Sequence, residues 1–332
     1  MCTQGTAPAS RPTTVNSRSL ARLIALRGFA RHSLPRFLPT PPRSMVLKLA
    51  LPKGRMQDNV SALLGEAGIR LSAGSRVYRP QVSMAGIEAK LLKPQSIVEM
   101  LYAGSRDVGF AGADWVAELC GPTDCELVSL LDTGLDPVRI VAAAPTELLE
   151  GGHLPKRHLR VASEYSRLTQ TWIKSRGLDA TFVRSYGATE VYPPDDADCI
   201  VDNTSSGATL VANGLNILDE LMRSSTRLYA NPRALEVREK RETIERLVML
   251  LQSVLEARRR VMLEVNVSAE ALEALCAALP CMREPTISPL HGNAGFAVKA
   301  AVPRDELARI VPELKARGGT DIVVSALSQI VP

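Results

Sequence analysis

Residues 198–210 place a short apolar strand before a turn rich in hydroxyl groups, which runs into a helix. The backbone N–H groups of such a turn point toward one spot, and the following helix adds the positive end of its dipole. The turn therefore predicts a phosphate site, although a simple helix N-cap is the alternative interpretation. The predicted phosphate contacts are Thr204, Ser205, Ser206, Gly207, Ala208, Thr209 and Leu210.

Acidic side chains near the turn indicate that the phosphate belongs to a sugar. Asp198 and Asp202 lie just before it, where their carboxylates can hold sugar hydroxyls, and Glu190 follows a glycine-containing turn upstream. Each residue also has a structural interpretation. Asp202 can cap the turn, Asp198 can face solvent at the start of its strand, and Glu190 can be a charge at a helix N-terminus.

Two basic residues follow the first predicted strand. Lys53 and Arg55 flank Gly54, so a point charge and a forked guanidinium can grip phosphate groups from two directions. Open α/β sheets bind their ligands at this end of their strands. Solvated surface charge is the alternative interpretation, but the position after a strand favours a phosphate site.

Short apolar strands and amphipathic helices alternate from Val46 onward, a pattern typical of α/β sheets with crossover helices. A long helix over 233–260 then separates this region from a βαββαβ order over 261–326, which predicts a ferredoxin-like domain. The remaining predicted elements are a helix at 57–67, strands at 46–51, 87–92, 108–111, 139–143, 159–162, 181–183 and 199–201, and helices at 94–102 and 166–174.

Length and charge limit the class of protein. The 332 residues are enough for two or three domains, and no apolar run approaches the roughly 20 residues of a membrane-spanning helix. Residues 1–44 contain seven arginines and no acidic residue, whereas the remaining chain carries 33 basic and 35 acidic side chains. The formal charge of +5 therefore does not support nucleic-acid binding, and we expect neither a nucleic-acid nor a membrane partner.

The cysteines and the first segment bear on the compartment. The six cysteines form no C-x-x-C pair and the four histidines are scattered, so we expect no zinc site and reduced thiols in a cytosol-like compartment. Residues 1–44 are rich in Arg, Ser and Pro. They are either an organellar transit segment, which implies a plastid, or a translated region upstream of Met45. The second alternative is slightly favoured and implies a cytoplasmic protein.

Several separated motifs together resemble the ATP phosphoribosyltransferases, which catalyse the first step of histidine biosynthesis. The similarity covers nearly everything from Met45 to the C-terminus. Ser206 stands where the family usually has Thr, which keeps the hydroxyl, and Lys93 stands where it usually has Arg, which loses the bidentate geometry. Residues 192–196 form a shorter and more acidic link than usual. The similar segments are 51–56, 107–114, 187–191, 198–210 and 212–215.

The resemblance implies a fold and a division of the chain. The catalytic region would be two-lobed and similar to periplasmic binding proteins, and a C-terminal regulatory domain would match the long form of the family. The implied divisions are an extension at 1–44, lobe I at 45–138, lobe II at 139–222, a return segment and connector helix at 223–260, and a histidine-binding domain at 261–332.

The implied reaction joins N1 of the ATP adenine to C1 of the ribose of 5-phosphoribosyl 1-pyrophosphate and releases pyrophosphate. The protein must align two polyanions and neutralise the leaving group, and no protein nucleophile is evident. Mg²⁺ is implied as the cofactor, bound mainly by substrate phosphates with a few carboxylates. Lys93 and Arg139 are expected at the nucleotide phosphates beside Lys53–Arg55, and Asp114 at the adenine or ribose, unless it only stabilises its turn. The candidates near Mg²⁺ are Glu190, Asp198 and Asp202.

Histidine is implied as a feedback inhibitor, and dimers that assemble into hexamers are implied as the oligomer. Residues 283–290 resemble the histidine site of the family. Two other functions stay open: a non-catalytic solute- or effector-binding protein with the same fold, and a phosphoribosyltransferase for another base. The Lys53/Arg55 pair argues against a non-catalytic binding protein. A phosphoribosyltransferase for another base would differ only in the acceptor that it consumes. The implied histidine-site residues are Asn266, Glu284, Thr286, Gly319 and Asp321.

Overall fold

The computed structural model describes residues 45–72, 78–120 and 127–331. The segment 1–44 and Cys125, with the predictions that concern them, lie outside these residues. The strands are β1 (Leu47–Pro52), β2 (Leu71–Ser72), β3 (Gln81–Val82), β4 (Ile87–Leu92), β5 (Val108–Gly112), β6 (Val128–Pro145), β7 (Leu159–Ser163), β8 (Ala180–Arg184), β9 (Cys199–Thr204), β10 (Leu215–Ala230), β11 (Arg260–Val267), β12 (Thr286–Pro289), β13 (Phe296–Pro303) and β14 (Thr320–Ala326). The α-helices are α1 (Gln57–Glu66), α2 (Pro94–Tyr102), α3 (Ala113–Cys120), α4 (Ser166–Arg176), α5 (Ala208–Ala212), α6 (Pro232–Glu236), α7 (Arg238–Arg259), α8 (Leu272–Cys276) and α9 (Leu307–Ala316).

Two long strands, β6 and β10, join two lobes of one mixed sheet, whose strand order is β4-β1-β5-β10-β6-β9-β7-β8. The second half of β10 pairs with β5 in lobe I. The second half of β6 pairs with β9 in lobe II, from Arg139 to Ala143. The ladder between β6 and β10 shifts its register at five points. Such bulges bend a ribbon, and they allow the same two strands to serve both lobes.

The predicted strand at 139–143 is too short, because β6 runs from Val128 to Pro145. Asp132, Thr133 and Asp136 interrupt the apolar pattern without ending the ladder, since Asp132 still pairs with Arg227 of β10. The divisions implied between residues 138 and 139 and between 222 and 223 consequently fall inside β6 and β10.

Lobe I is built on the apolar residues of β1. Leu47, Leu49 and Leu51 are almost fully buried, and they share one core with buried residues of α1 and α7. On one side β1 pairs in parallel with β4, with Pro52 opposite Leu92. Parallel strands carry their ends to the same edge of a sheet, so this register brings the residues after β1 next to those after β4.

Lobe II buries β9 on both faces. Cys199, Ile200 and Val201 have no exposed surface. Cys199 and Val201 face the core that contains Trp172 of α4, and Ile200 faces the core that contains Leu210 of α5. A strand covered on both faces has a continuous apolar sequence. The polar residues Asp202, Asn203 and Thr204 therefore lie at the end of β9.

The C-terminal sheet has the order β12-β13-β11-β14 and is antiparallel throughout. With α8 and α9 it forms the predicted ferredoxin-like βαββαβ arrangement. Two predicted helices differ. The helix predicted at 233–260 is divided into α6 and α7 at Val237, whose backbone is extended. The helix predicted at 269–279 is reduced to α8, and Pro280 further along disfavours a helical conformation of the residue before it. Within the described part of the chain, no helix has the length and apolar character needed to span a bilayer.

Candidate active site

A cavity of about 230 Å³ lies between the lobes. Its walls come from the ends of strands and the starts of helices, where main-chain and side-chain polar groups are available to a ligand. The sequence predicted three of its residues, Lys53, Arg55 and Asp114, and did not predict Glu164, Tyr165, Asn203 or Asp136. The other lining residues are Met56, Pro94, Gln95, Gly112, Trp115, Val138, Ser224, Ser225 and Thr226.

A turn after β1 presents the lobe I cations. The N–H of Lys53 donates to the carbonyl of Leu92 at 2.8 Å, and Gly54 has a φ of 90°, which favours glycine. The Lys53 Nζ lies 3.3 Å from the hydroxyl of Tyr78 and 4.6 Å from the centre of its ring. Lys93 is exposed directly after β4 and beside Pro94 of the cavity wall. Lys53, Arg55 and Lys93 therefore form one cationic edge.

Asp114 is 5% exposed and engaged on both carboxylate oxygens. Its Oδ1 accepts a hydrogen bond from Ser224 Oγ at 2.6 Å, and its Oδ2 accepts one from the hydroxyl of Tyr165 at 2.8 Å. Burial, followed by the Asp114 charge, raises the pKa of Tyr165 well above its ordinary value. The Tyr165 ring stacks on Trp115 with 4.7 Å between ring centres. Asp114 thus links the two lobes as well as lining the cavity.

The turn after β9 has the predicted strand–turn–helix form, with a short helix α5. Thr204 Oγ1 accepts a hydrogen bond from the N–H of Gly207 at 3.0 Å, and Ser206 Oγ accepts one from the N–H of Ala208 at 3.3 Å. Ser205 and Thr209 are exposed. Among residues 45–72, 78–120 and 127–331, their hydroxyls have no protein hydrogen-bond partner. The turn is therefore folded by two of its hydroxyls and presents the other two to solvent.

Two further carboxylates act on Asp202, which lies near the end of β9. Burial, and then the negative charges of Glu190 and Glu164, raise the pKa of Asp202 from 3.8 to about 6. The N–H of Asn203 and the side chain of Thr189 act in the opposite direction through hydrogen bonds to Asp202. Glu190 is therefore near enough to Asp202 for its charge to act on it. Glu164 was missed, although its position directly after β7 is the usual place for a ligand-binding residue.

The structure does not bring Asp198 to this site. Asp198 precedes β9, whereas Thr204 ends it, so the two are separated by about 20 Å of extended chain. Asp198 Oδ1 accepts a hydrogen bond from Arg157 at 2.7 Å, and Oδ2 accepts one from the N–H of Arg160 at 2.6 Å. Burial alone would raise the pKa of Asp198, but these bonds and charges hold it below its ordinary value.

Arg139 also lies outside the wall of the cavity. It is opposite Thr204 in the β6–β9 ladder, and its guanidinium lies 3.4 Å from the carboxylate of Glu220. Arg223 approaches the same carboxylate at 2.7 Å. Arg139 is thus beside the turn after β9 rather than at the cationic edge of lobe I.

The implied histidine-site residues fall into two groups. Asn266 Nδ2 donates to Asp321 Oδ2 at 3.1 Å. Gly319 lies beside them, because it directly precedes Thr320, which pairs with Asn266, and a Cβ at Gly319 would lie 2.9 Å from Val265 Cγ2. Thr286 begins the edge strand β12, two strands or about 10 Å from β11, and Glu284 lies in the loop before it.

Cys199, Cys276 and Cys281 are free thiols. Among the residues that the structure describes, no three His, Cys, Asp or Glu side chains are placed to hold a metal ion by themselves. Asp202, with the charges of Glu190 and Glu164 acting on it, offers the one or two carboxylates that Mg²⁺ takes when substrate phosphates supply its other ligands.

Comparison with known proteins identifies the family of the chain. Residues 93–253 match the family described as ATP phosphoribosyltransferase, and residues 257–329 match the C-terminal domain of HisG. The chain is 36% identical to the ATP phosphoribosyltransferase of Chlorobium phaeovibrioides, over 86% of this chain and 98% of the relative. It is 34% identical to that of Pelotomaculum thermopropionicum, over 87% of this chain and 100% of the relative.

A solved structure gives the same result for the fold. The ATP phosphoribosyl transferase (HisG:HisZ) complex from Thermotoga maritima aligns with a TM-score of 0.56 and 29% identity, over 64% of this chain and 99% of that chain. The predicted two-lobed α/β architecture with a C-terminal domain is therefore confirmed. The chain belongs to the ATP phosphoribosyltransferase family, in the long form that carries the additional C-terminal domain.

Proposed function

We propose that the cavity between the lobes and the turn at 204–210 together form the active site of this ATP phosphoribosyltransferase. The reaction condenses ATP with 5-phosphoribosyl 1-pyrophosphate to give N1-(5-phosphoribosyl)-ATP and pyrophosphate. One observation supports the assignment: Lys53 and Arg55 of lobe I line the same cavity as Glu164 and Asn203 of lobe II, and Asn203 directly precedes the turn at 204–210. That is the charge pattern needed to hold two polyanions around one reacting ribose.

Lobe II takes the phosphosugar in this proposal. The exposed hydroxyls of Ser205 and Thr209, with the backbone N–H groups of the turn, bind the 5-phosphate. Asp202 and Glu190 lie near the end of the same strand, where carboxylates accept hydrogen bonds from ribose hydroxyls. Carboxylates close to the ribose also stabilise the positive charge that develops at C1 as pyrophosphate leaves.

Lobe I takes the polyphosphates. Lys53, Arg55 and Lys93 converge on one edge because β1 and β4 are parallel, and they neutralise the phosphates of ATP and the leaving pyrophosphate. Asp114 holds the hydroxyl of Tyr165 in the cavity wall, rather than being a free carboxylate for the adenine. The residues align reactants and stabilise charge, and none of them is assigned a nucleophilic role.

Asp202, Glu190 and Glu164 are the residues proposed to hold Mg²⁺, directly or through water. When bound, Mg²⁺ supplies neutralisation of the departing pyrophosphate. This assignment is supported by the raised pKa of Asp202: burial, and then the charges of Glu190 and Glu164, disfavour its ionised form, and a bound cation would favour it.

Regulation and assembly are proposed for the C-terminal domain. Asn266, Gly319 and Asp321 lie together at one end of its sheet, and they would contribute donors, acceptors and backbone to bound histidine. Thr286 and Glu284 would approach from β12. The homologous complex from Thermotoga maritima is consistent with an oligomer, and dimers that assemble into hexamers remain our proposal, as does a cytoplasmic location.

The assignment of the reaction is tested by mixing the protein with ATP, phosphoribosyl pyrophosphate and Mg²⁺ and following the absorbance of phosphoribosyl-ATP. Product should form only with both substrates and the metal ion. Replacing ATP by other bases separates this function from a phosphoribosyltransferase with a different acceptor. Binding of both substrates without product would instead identify a non-catalytic binding protein.

A further inference from the structure

Helix α4 of lobe II begins without a cap of its own. Tyr165, the residue before the helix, makes no capping hydrogen bond with its side chain. The first N–H groups of a helix have no partner within the helix. Here the carboxylate of Glu118 accepts hydrogen bonds from the N–H groups of Arg167 and Leu168, both at 3.0 Å. An anion in this position also faces the positive end of the helix dipole.

Glu118 belongs to the opposite lobe. It lies on α3, which follows β5 of lobe I, and it is only 7% exposed. Asp114 and Trp115 lie on the same face of α3, given the helical spacing. They contact Tyr165 through a hydrogen bond of 2.8 Å and a ring stack. One face of α3 therefore holds residues 163–168 of lobe II at three points.

The segment held in this way forms part of the active site. Glu164 and Tyr165 line the cavity. Ser163 Oγ donates a hydrogen bond of 2.6 Å to the carbonyl of Val201, the residue before Asp202. A movement of α4 relative to α3 would therefore displace groups at the cavity and strain the strand that carries the phosphate turn.

We propose that Glu118 is a positioning residue that fixes the angle between the lobes, so that ATP on lobe I and the phosphoribosyl group on lobe II meet in line. Glu118 does not line the cavity and acts through α4 and residues 163–168. This inference rests on the proposed function, since it depends on the assignment of one substrate to each lobe. Alignment of two bound reactants contributes to turnover more than to the binding of either one.

The test replaces Glu118 with Gln. Glutamine keeps the shape of the side chain but presents an NH₂ group where a second acceptor is needed, so only one of the two N–H groups can be bonded. We expect kcat to fall about 10- to 100-fold, whereas the dissociation constants of ATP and phosphoribosyl pyrophosphate, each measured alone, stay close to those of the wild type. Glu99→Gln, on the exposed surface of α2 in the same lobe, is the matched control and should leave kcat unchanged.

A folded Glu118→Gln protein with wild-type kcat would overturn the inference. So would a loss of kcat/KM that came entirely from weaker binding of one substrate, because the effect would then be local to that substrate. If Glu118→Gln did not fold, Glu118→Asp, which retains both acceptor oxygens on a shorter stem, would replace it with the same expected separation of kcat from binding. Hydrogen exchange at Arg167 and Leu168 provides a further check: exchange in the folded variant should be faster, and unchanged protection would contradict the proposed contact. An inactive wild-type protein would contradict the proposed function instead, so the two failures are distinguishable.

Discussion

The cleft between the lobes and the C-terminal sheet both contain residues that the sequence singled out, but the two sheets bring such residues together in different ways. In the cleft, Lys53 and Lys93 meet because they follow parallel neighbouring strands. In the C-terminal domain, Asn266 and Asp321 are bonded, whereas Thr286 lies two strands away. The comparison teaches that strand ends predict a shared site in a parallel sheet, where they converge on one edge. In the antiparallel C-terminal sheet the end of β11 instead lies beside the start of its neighbour β14, which brings Asn266 to Asp321, whereas β13 separates Thr286 from them.

The largest expected effect is the loss of a cation from the cleft. Arg55→Ala should remove about 2–4 kcal/mol of transition-state stabilisation, because a preorganised charge facing the polyphosphate is lost. Steady-state kinetics with both substrates would show this as a large fall in kcat/KM. Arg70→Ala, an exposed arginine of the same lobe, is the control. If Arg55→Ala had wild-type kinetics, Arg55 would be an ordinary surface charge with no role in the reaction.

The raised pKa of Asp202 should make the free energy of unfolding depend on pH. The folded protein raises the pKa of Asp202 to about 6, so the folded state binds that proton more tightly than the unfolded state. Ionised Asp202 therefore destabilises the fold fully above pH 6, and the penalty disappears as the pH falls toward 4. Asp202→Asn should raise the free energy of unfolding at pH 8 by about 1–3 kcal/mol, an upper range set by the shift.

Thermal or urea unfolding of wild type and Asp202→Asn at pH 8 and pH 4 measures this difference. A variant that is equally stabilised at both pH values would show that the effect is unrelated to ionisation. A variant that is less stable at pH 8 would show that the three carboxylates do not repel one another. The same substitution should reduce kcat. Asp202 would then be a residue that lowers the stability of the fold and is needed for turnover.

A smaller effect is expected from one hydroxyl of the phosphate turn. Thr209→Val keeps the shape of the side chain and removes a hydrogen bond to a charged group, which contributes about 1.5–3 kcal/mol. The KM for phosphoribosyl pyrophosphate should rise about tenfold or more, with little change in the KM for ATP. Thr171→Val, at an exposed hydroxyl of α4, is the matched control. An equal rise for both substrates would contradict the assignment of the turn to the phosphosugar.

The smallest effect on the uninhibited rate is expected from the C-terminal domain. Asp321→Ala and Thr286→Ala should weaken inhibition by histidine and leave the rate without histidine largely unchanged, because the cleft lies entirely before residue 260. The coupling between histidine and substrate is expected to be about 1–3 kcal/mol and reciprocal at equilibrium. Calorimetry that found histidine competing directly with ATP, and unaffected by both substitutions, would remove the regulatory proposal.

Local patterns predicted the elements that carry the site. The strand at Ile87–Leu92 and the helix at Pro94–Tyr102 have the predicted bounds, because apolar and polar residues alternate at the start of the strand and a proline at the first helical position is a strong local signal. The turn after β9 was predicted by its hydroxyls and by Gly207, whose φ of 86° favours glycine.

Contacts between distant segments could not be predicted in this way. Glu118 caps a helix about 50 residues further along the chain, and no local pattern marks a cap supplied by another helix. Asp198 and Asp202 look equivalent in sequence, but they lie at opposite ends of one strand region and have opposite pKa shifts. Asp198 is held by Arg157 and by the N–H of Arg160, partners that only the tertiary fold supplies.

The division of the substrates between the lobes is tested most directly by the two KM values of Gly207→Val. Space is available for the side chain, since the nearest atom to a Cβ at this position is Ile217 Cδ1 at 3.7 Å, but the φ of 86° is strained for valine and the turn must change shape. We predict that the KM for phosphoribosyl pyrophosphate rises far more than the KM for ATP in a variant that remains folded by circular dichroism. Equal changes in both KM values, or a larger change for ATP, would contradict the account.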